Sequence, residues 1–133
     1  MKTIKELCDL VRETAYAIHV YHGHGHLEKV YENALAHRLR KIGLNVIQQH
    51  PLTVFDEDGT VIGEYCADLL VEGRLIVELK ACRAIAAEHV AQLIGYLKSS
   101  RILDGLLINF GSYKFEIKKY ILSQHGTPET PND

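Results

Sequence analysis

Two charged positions interrupt what would otherwise be a pair of core strands. In the run Tyr65-Cys66-Ala67-Asp68-Leu69-Leu70-Val71-Glu72-Gly73-Arg74-Leu75-Ile76-Val77-Glu78-Leu79-Lys80, Asp68 sits within one apolar stretch and Glu78-Leu79-Lys80 closes the next. Gly73, between the stretches, reads as the turn of a hairpin. Side chains two apart on a strand share a face, so Glu78 and Lys80 project side by side. An acid and a base projecting from a nearly all-apolar strand cost free energy unless paired with each other, a metal or a substrate. This is the layout of a metal site built on a sheet, and it points to phosphodiester chemistry.

The reading carries a geometric condition. A two-residue turn at Glu72-Gly73 would pair Asp68 with Val77 and put Glu78 on the other face. The acids share a face only if the loop is effectively three residues long, for example with Gly73 in the left-handed region forming a bulge. That bulge, or an equivalent register shift, is the expectation.

At 133 residues the chain can bury one core but not two, so 1–122 reads as a single domain and 123–133, with Pro128 and Pro131, as a disordered tail. The net charge of -2 argues against a strongly basic nucleic-acid coat. It leaves room for a local basic groove, because clustered acids lower the total. No apolar stretch approaches the roughly 18–20 residues of a membrane span, so no membrane partner is expected. Met1-Lys2-Thr3-Ile4-Lys5-Glu6 runs into a helical pattern without the apolar region of a signal peptide. Cys8, Cys66 and Cys82 lack CxxC spacing and read as buried thiols in a reducing cytoplasm.

Helical spacing of Ile4, Leu7, Cys8, Val11, Ala15 and Ile18 predicts a first helix over 3–21, broken by His22-Gly23-His24-Gly25-His26. A second is expected from Leu27 to Ile42, with Leu27, Val30, Tyr31, Ala34, Leu35 and Leu39 on one face and Gly43 ending it. Strands are expected over 45–55 (Pro51 marking an edge or bulge), 60–71 and 75–81. A helix over 86–100 and a buried strand over 105–110 follow, and 113–122 reads equally as helix or strand. This order gives an α/β domain with a mixed sheet: helix, helix, a three-stranded meander, helix, strand.

The chain carries, in order, Gly25-His26-Leu27-Glu28-Lys29-Val30-Tyr31, Tyr31-Glu32-Asn33-Ala34-Leu35, Ala67-Asp68-Leu69-Leu70-Val71, Ile76-Val77-Glu78-Leu79-Lys80-Ala81, Ala91-Gln92-Leu93 with Tyr96-Leu97, and Leu107-Ile108-Asn109-Phe110-Gly111. The first block fits the signature GxxExxY. From about Ile18 to Ile121 the chain resembles the small bacterial and archaeal proteins named for it, a family of the PD-(D/E)XK nuclease superfamily. The resemblance implies a restriction-endonuclease-like αβββαβ core around a divalent metal, its mixed central sheet flanked by helices, with an extra N-terminal helix. It implies Asp68 and Glu78 as metal ligands, Lys80 as the catalytic lysine and Glu28 as the helix-borne acid of the first motif. It further implies Gln92 and Tyr96 as the polar pair of the later helix, with Tyr31 in support. Ala67 stands where the superfamily's name has Pro, which related families commonly lose. His24 and His26 are less expected in the glycine loop.

The chemistry is coherent with those roles. Mg²⁺, or Mn²⁺ in its place, takes a few carboxylates and several waters at about 2.0–2.1 Å. Asp68, Glu78 and the Leu79 carbonyl can supply that half-shell, with Glu28 acting through water. Such an ion, when bound, polarises a phosphoryl group and lowers the pKa of an attacking water. Lys80 can orient that water or neutralise charge on the phosphorane, and Gln92 can hold the water or a phosphate. The expectation is a metal-dependent nuclease acting on nucleic acid, DNA first and RNA second. Sequence-specific cutting of both strands would need a homodimer, through the first helix or an edge strand. The competing class is a non-catalytic nucleic-acid-binding or assembly module that keeps the fold; a small-molecule phosphohydrolase would need a closed pocket. The full acid–acid–lysine set favours the nuclease, since such buried charges have no structural use without a metal.

Plainer readings stand beside these. Glu78 and Lys80 could form a surface ion pair, but Leu75, Ile76, Val77 and Leu79 make their strand look buried on both faces. Glu28 alone would be a first-turn acid favourable with the helix dipole. Tyr31 suits packing with its hydroxyl bonded, and Gln92 and Tyr96 suit a solvated helix face. His22, His24 and His26 read as a solvated turn, since no Cys or acid pair stands at structural-zinc spacing. Arg38, Arg40 and Lys41 suit the second helix's C-terminus, and Lys98, Arg101, Lys114, Lys118 and Lys119 a basic rim.

Overall fold

A computed structural model describes residues 1–123 and 128–129. Its elements are α1 (Ile4–His22), α2 (Glu28–Lys41), β1 (Val46–Phe55), β2 (Val61–Val71), β3 (Leu75–Lys80), α3 (Ala87–Ser100), β4 (Asp104–Asn109), β5 (Glu116–Leu122) and β6 (Pro128–Glu129). The two-way segment 113–122 resolves as a strand preceded by a loop. Within the expected tail, Pro128–Glu129 pairs with β5, whereas 124–127 and 130–133 lie outside the described residues.

The strands form one sheet in the order β1-β2-β3-β4-β5-β6, antiparallel everywhere except between β3 and β4. The parallel step is the one bridged by α3, because a strand can re-enter beside a parallel neighbour only through a crossover. Pro51 lies on β1, at the edge of the sheet, where its missing N–H is tolerated. The restriction-endonuclease-like αβββαβ core runs from α2 to β4, with α1 added before it and β5 and β6 after.

Each sheet face carries its own core. Leu7, Val11, Ile18, Tyr31, Leu35 and Leu39 of α1 and α2 meet Leu69, Val71, Leu75, Val77 and Leu79. On the opposite face, Leu93, Tyr96 and Leu97 of α3 meet Leu52, Ala67, Leu70, Ile76 and Leu107. As its sequence implies, β3 is buried on both faces, with Leu75, Ile76, Val77 and Leu79 all at 0% exposure.

Two expectations change. Helix α2 is rotated so that Glu32 joins Tyr31, Leu35, Ala36 and Leu39 in the interior, while Leu27 and Val30 stay exposed. The rotation turns Glu32 toward Gln48 and Gln49 of β1. Cys66 is exposed, not buried; Cys8 is buried and Cys82 half-buried. The reason is strand length. With eleven residues against six, β2 outruns β3, which pairs only with Leu69–Val71. The first half of β2 therefore projects with β1 as an arm that, among the described residues, no third strand extends.

Candidate active site

The β2–β3 loop sets the register. Glu72 (φ 53°) and Gly73 (φ 65°) are both left-handed, and the Arg74 N–H donates to the Val71 carbonyl at 3.0 Å. Pairing runs Val71↔Leu75, Leu70↔Ile76 and Leu69↔Val77, so the loop is three residues long and Asp68 and Glu78 fall opposite each other. The expected shift is present, with Glu72 sharing the left-handed turn. At the acids the ladder opens and their side chains take over its bonds. The Asp68 N–H donates to Glu78 Oε1 at 3.1 Å, and the Leu79 N–H donates to Asp68 Oδ2 at 2.8 Å. Each carboxyl is thus fixed by the other's strand.

A second irregularity faces this one. Val46 belongs to the α1/α2 core and Leu52 to the α3 core, although strict alternation would keep them on one face; Leu69 and Ala67 on β2 show the same break. Both breaks centre where Gln49, with φ 53°, stands between the pairs Gln48↔Leu69 and His50↔Ala67. A left-handed glutamine inside a strand is strained, and such strain gathers at functional sites. The Gln49 side chain donates to Glu32 Oε1 at 2.6 Å and to Asp68 Oδ1 at 3.3 Å. Buried Glu32 also accepts from Gln48 Nε2 and Lys29 Nζ, both at 2.7 Å.

Burial, and then the charge of Asp68, push the Glu78 carboxyl up to about 9, and its side chain also bonds that of Asp68. Near neutral pH the Glu78 carboxyl therefore keeps its proton. Glu28, at the first position of α2, is raised by partial burial and then by Asp68, with Lys80 opposing. Lys80 Nζ donates to Gln92 Oε1 of α3 at 3.1 Å. Ion pairs among the described residues join Lys5–Asp9, Arg12–Asp9 and Lys29–Glu32, so Glu78 and Lys80 do not form the plain surface pair. Tyr96 lies close enough that, after burial, Glu78 and Asp68 contribute to raising its hydroxyl to about 12.

The GxxExxY spacing has a mechanical reading. Gly25 adopts φ 116°, which side-chain-bearing residues rarely take. The Tyr31 hydroxyl donates to the Gly23 carbonyl at 2.7 Å and accepts from the His26 N–H at 3.1 Å, while its ring stacks on Phe110 at 4.6 Å. Tyr31 thereby pins the loop that delivers Glu28. Beyond Lys80, fully buried Asn109 accepts from the Cys82 and Gly111 N–H groups and donates to the Cys82 carbonyl. This network holds the chain as it leaves β3.

Asp68, Glu78, Lys80, Gln92 and Tyr96 are therefore gathered on the α3 side, with Glu28 on α2 near enough to feel the charges of Asp68 and Lys80. Tyr31 stands behind the glycine loop, and the contact Leu79 makes with the acids is its N–H. Sequence reasoning missed Glu32, Gln49 and Asn109. Only Glu32 had a signal, since it lies four residues after Glu28 on the same helix face. No three His, Cys, Asp or Glu among the described residues form a metal cage. The acid pair fits a half-shell for a hard divalent cation: two adjoining carboxyls are held by backbone N–H groups, and an ion could take the place of the proton that Glu78 keeps.

This fold and this acid–acid–lysine arrangement define a nuclease-like α/β domain. A family model of the PD-(D/E)XK nuclease superfamily matches residues 5–120, and the chain belongs to that superfamily. Among solved structures it is similar to the crystal structure of SSO0001, at 18% identity and a TM-score of 0.56, over 68% of this chain and 48% of that one. That likeness concerns the fold, and the chain spans about half the length of that relative. No curated protein matches it. No helix among the described residues is long and apolar enough to cross a membrane.

Proposed function

We propose that this chain is a Mg²⁺- or Mn²⁺-dependent nuclease that hydrolyses phosphodiester bonds of DNA. One observation carries the reading: a three-residue hairpin loop sets Asp68 opposite Glu78, each carboxyl bonded to the other strand's backbone, with Lys80 two residues on. Asp68 and Glu78 would hold the ion, with Glu28 acting through water. When bound, the ion supplies Lewis-acid polarisation of the phosphoryl group and an acidified water.

The chain's own residues supply the rest. The Lys80 ammonium orients the attacking water and balances the charge that grows on the phosphoryl oxygens. Gln92 holds Lys80 from α3 and can pass it to the substrate, since its oxygen is an acceptor and its amide nitrogen is free to donate. Gln49 and Glu32 keep the outer oxygen of Asp68 in position. The finer affinity with the GxxExxY proteins rests on Gly25, Glu28 and Tyr31, and on the loop clasp that explains their spacing.

The test is cleavage of labelled single-stranded, duplex and branched DNA, with RNA in parallel, in EDTA, Mg²⁺ or Mn²⁺. The expected result is metal-dependent cutting that Asp68→Asn and Lys80→Ala each reduce by at least about 100-fold, the scale on which one preorganised electrostatic group acts. Cutting that survives EDTA, or both substitutions, would contradict the reading. Binding of nucleic acid without cutting would move the chain to the non-catalytic class.

A further inference from the structure

The arm that β1 and β2 extend beyond β3 does not stand alone. Between it and α3 lies a cleft of about 290 Å³, lined by Val54 and Tyr65 from the arm and by Gln92, Gly95, Tyr96 and Ser99 from the helix. Tyr65 is 48% exposed even though its ring packs against that of Tyr96 at a centroid distance of 5.3 Å. Beside Gly95 the space is open, for a Cβ built there meets nothing within 4 Å.

We propose that this cleft receives an unpaired nucleobase of the substrate strand, stacked on Tyr65, and that the protein acts on single-stranded nucleic acid. The inference rests on the nuclease reading and deepens it.

Charge is the first argument. Among the described residues no charged side chain lines the cleft, yet Gln92, one of its lining residues, accepts from Lys80. A neutral slot beside a centre of carboxylates and an ammonium matches a nucleotide, whose base is neutral and whose phosphate is not. The phosphate would go to Lys80 and to the ion that the acids would hold, and the base to the arm. Chemistry is the second. A mostly apolar wall with a few convergent polar groups is the usual make-up of a small-molecule site, and here the Gln92 amide and the hydroxyls of Tyr96 and Ser99 can meet a base edge. Shape is the third. In a duplex both faces of a base are covered by its neighbours, so the Tyr65 ring can reach one only when it is unstacked. Continuity is the last. Tyr96 lines the cleft and also feels the charges of Glu78 and Asp68, so base slot and acid pair adjoin.

The experiment is binding of a short single-stranded DNA carrying a central 2-aminopurine, in Ca²⁺, read by anisotropy and by quenching of the base's fluorescence on stacking. Wild type and Tyr65→Phe should bind and quench. Tyr65→Ala should weaken binding by about 5- to 150-fold, the range for losing one base–aromatic stack. Gly95→Phe, which fills the cleft with no clash at its Cβ, should also lose the quench. A blunt duplex of the same sequence should compete poorly. The proposal is overturned if wild type binds no single strand, if Tyr65→Ala and Gly95→Phe bind and quench like wild type, or if the duplex competes equally. A dimer that dissolves in Tyr65→Ala would assign the arm to a second copy and overturn it too. Because this readout needs no turnover, the two failures are separable. Quenching without any cleavage in Mg²⁺ sinks the nuclease reading, whereas cleavage with unaltered variants sinks this one.

Discussion

Glu78 works against the stability of the ion-free fold. Its carboxyl, ordinarily at 4.5, is raised to about 9 in the folded chain by burial and by Asp68. A group raised in this way contributes stability that is complete below its unfolded pKa and is lost as pH rises through the folded one. In EDTA the protein should therefore lose stability progressively from about pH 5 to pH 9. Glu78→Gln removes the charge and should raise the stability of the ion-free protein at pH 8 by roughly 1–3 kcal/mol, while abolishing thermal stabilisation by Mn²⁺. Thermal denaturation across pH, with and without Mn²⁺, checks both halves. A Glu78→Gln protein less stable than wild type in EDTA would show that the raised carboxyl does not cost the fold anything. Gln49 makes the complementary case. Gln49→Gly should fold more stably than Gln49→Ala by about 1 kcal/mol, because glycine takes φ 53° without a steric cost. Both should bind Mn²⁺ more weakly than wild type, since both lose the bond to Asp68. Equal Mn²⁺ affinity in all three would remove Gln49 from the site.

At the scale of elements, two close approaches hold the site's frame. A Cβ on Gly111 would overlap the Cys82 backbone nitrogen, so the segment after β4 passes against the segment after β3 with no room for a side chain. Gly111→Ala should destabilise the protein by about 1–3 kcal/mol or more in urea denaturation. Unchanged stability would mean that the two segments are not so close. Tyr31→Phe keeps the stack on Phe110 and drops the two bonds to the glycine loop. It should cost about 1 kcal/mol and lower cleavage more than it lowers stability, because the loop that delivers Glu28 is released. These elements differ in how far sequence revealed them. The β2–β3 register was legible because Gly73 and the need to bring Asp68 and Glu78 to one face left few loop lengths. The exposure of Cys66 was not, because Tyr65-Cys66-Ala67 has the local texture of a core strand. What exposes it is the shortness of β3, a property of a different segment. Gln49 was hidden for a similar reason: a glutamine beside Gln48 in an edge strand reads as an outward polar residue, and its left-handed turn exists only against Asp68.

Over the whole molecule, the two cores divide the labour. The α1/α2 face carries the larger apolar cluster and anchors the loop that presents Glu28. The α3 face bears the acid pair, Lys80 and Gln92, and the arm of β1 and β2 extends beside it. The order of elements and the meeting of Asp68 with Glu78 could be read from spacing and from the resemblance, since both depend on local pattern. The cleft could not, because it arises from one strand outlasting another across the sheet. The proposed nuclease activity turns on Asp68 and Glu78 together holding a divalent cation. The most direct test is a crystal soaked in Mn²⁺ and measured for anomalous scattering. The expected result is a peak between the carboxyls of Asp68 and Glu78, absent in Asp68→Asn crystals. A peak confined to the His22, His24 and His26 turn, or none at the acid pair under saturating Mn²⁺, would contradict it.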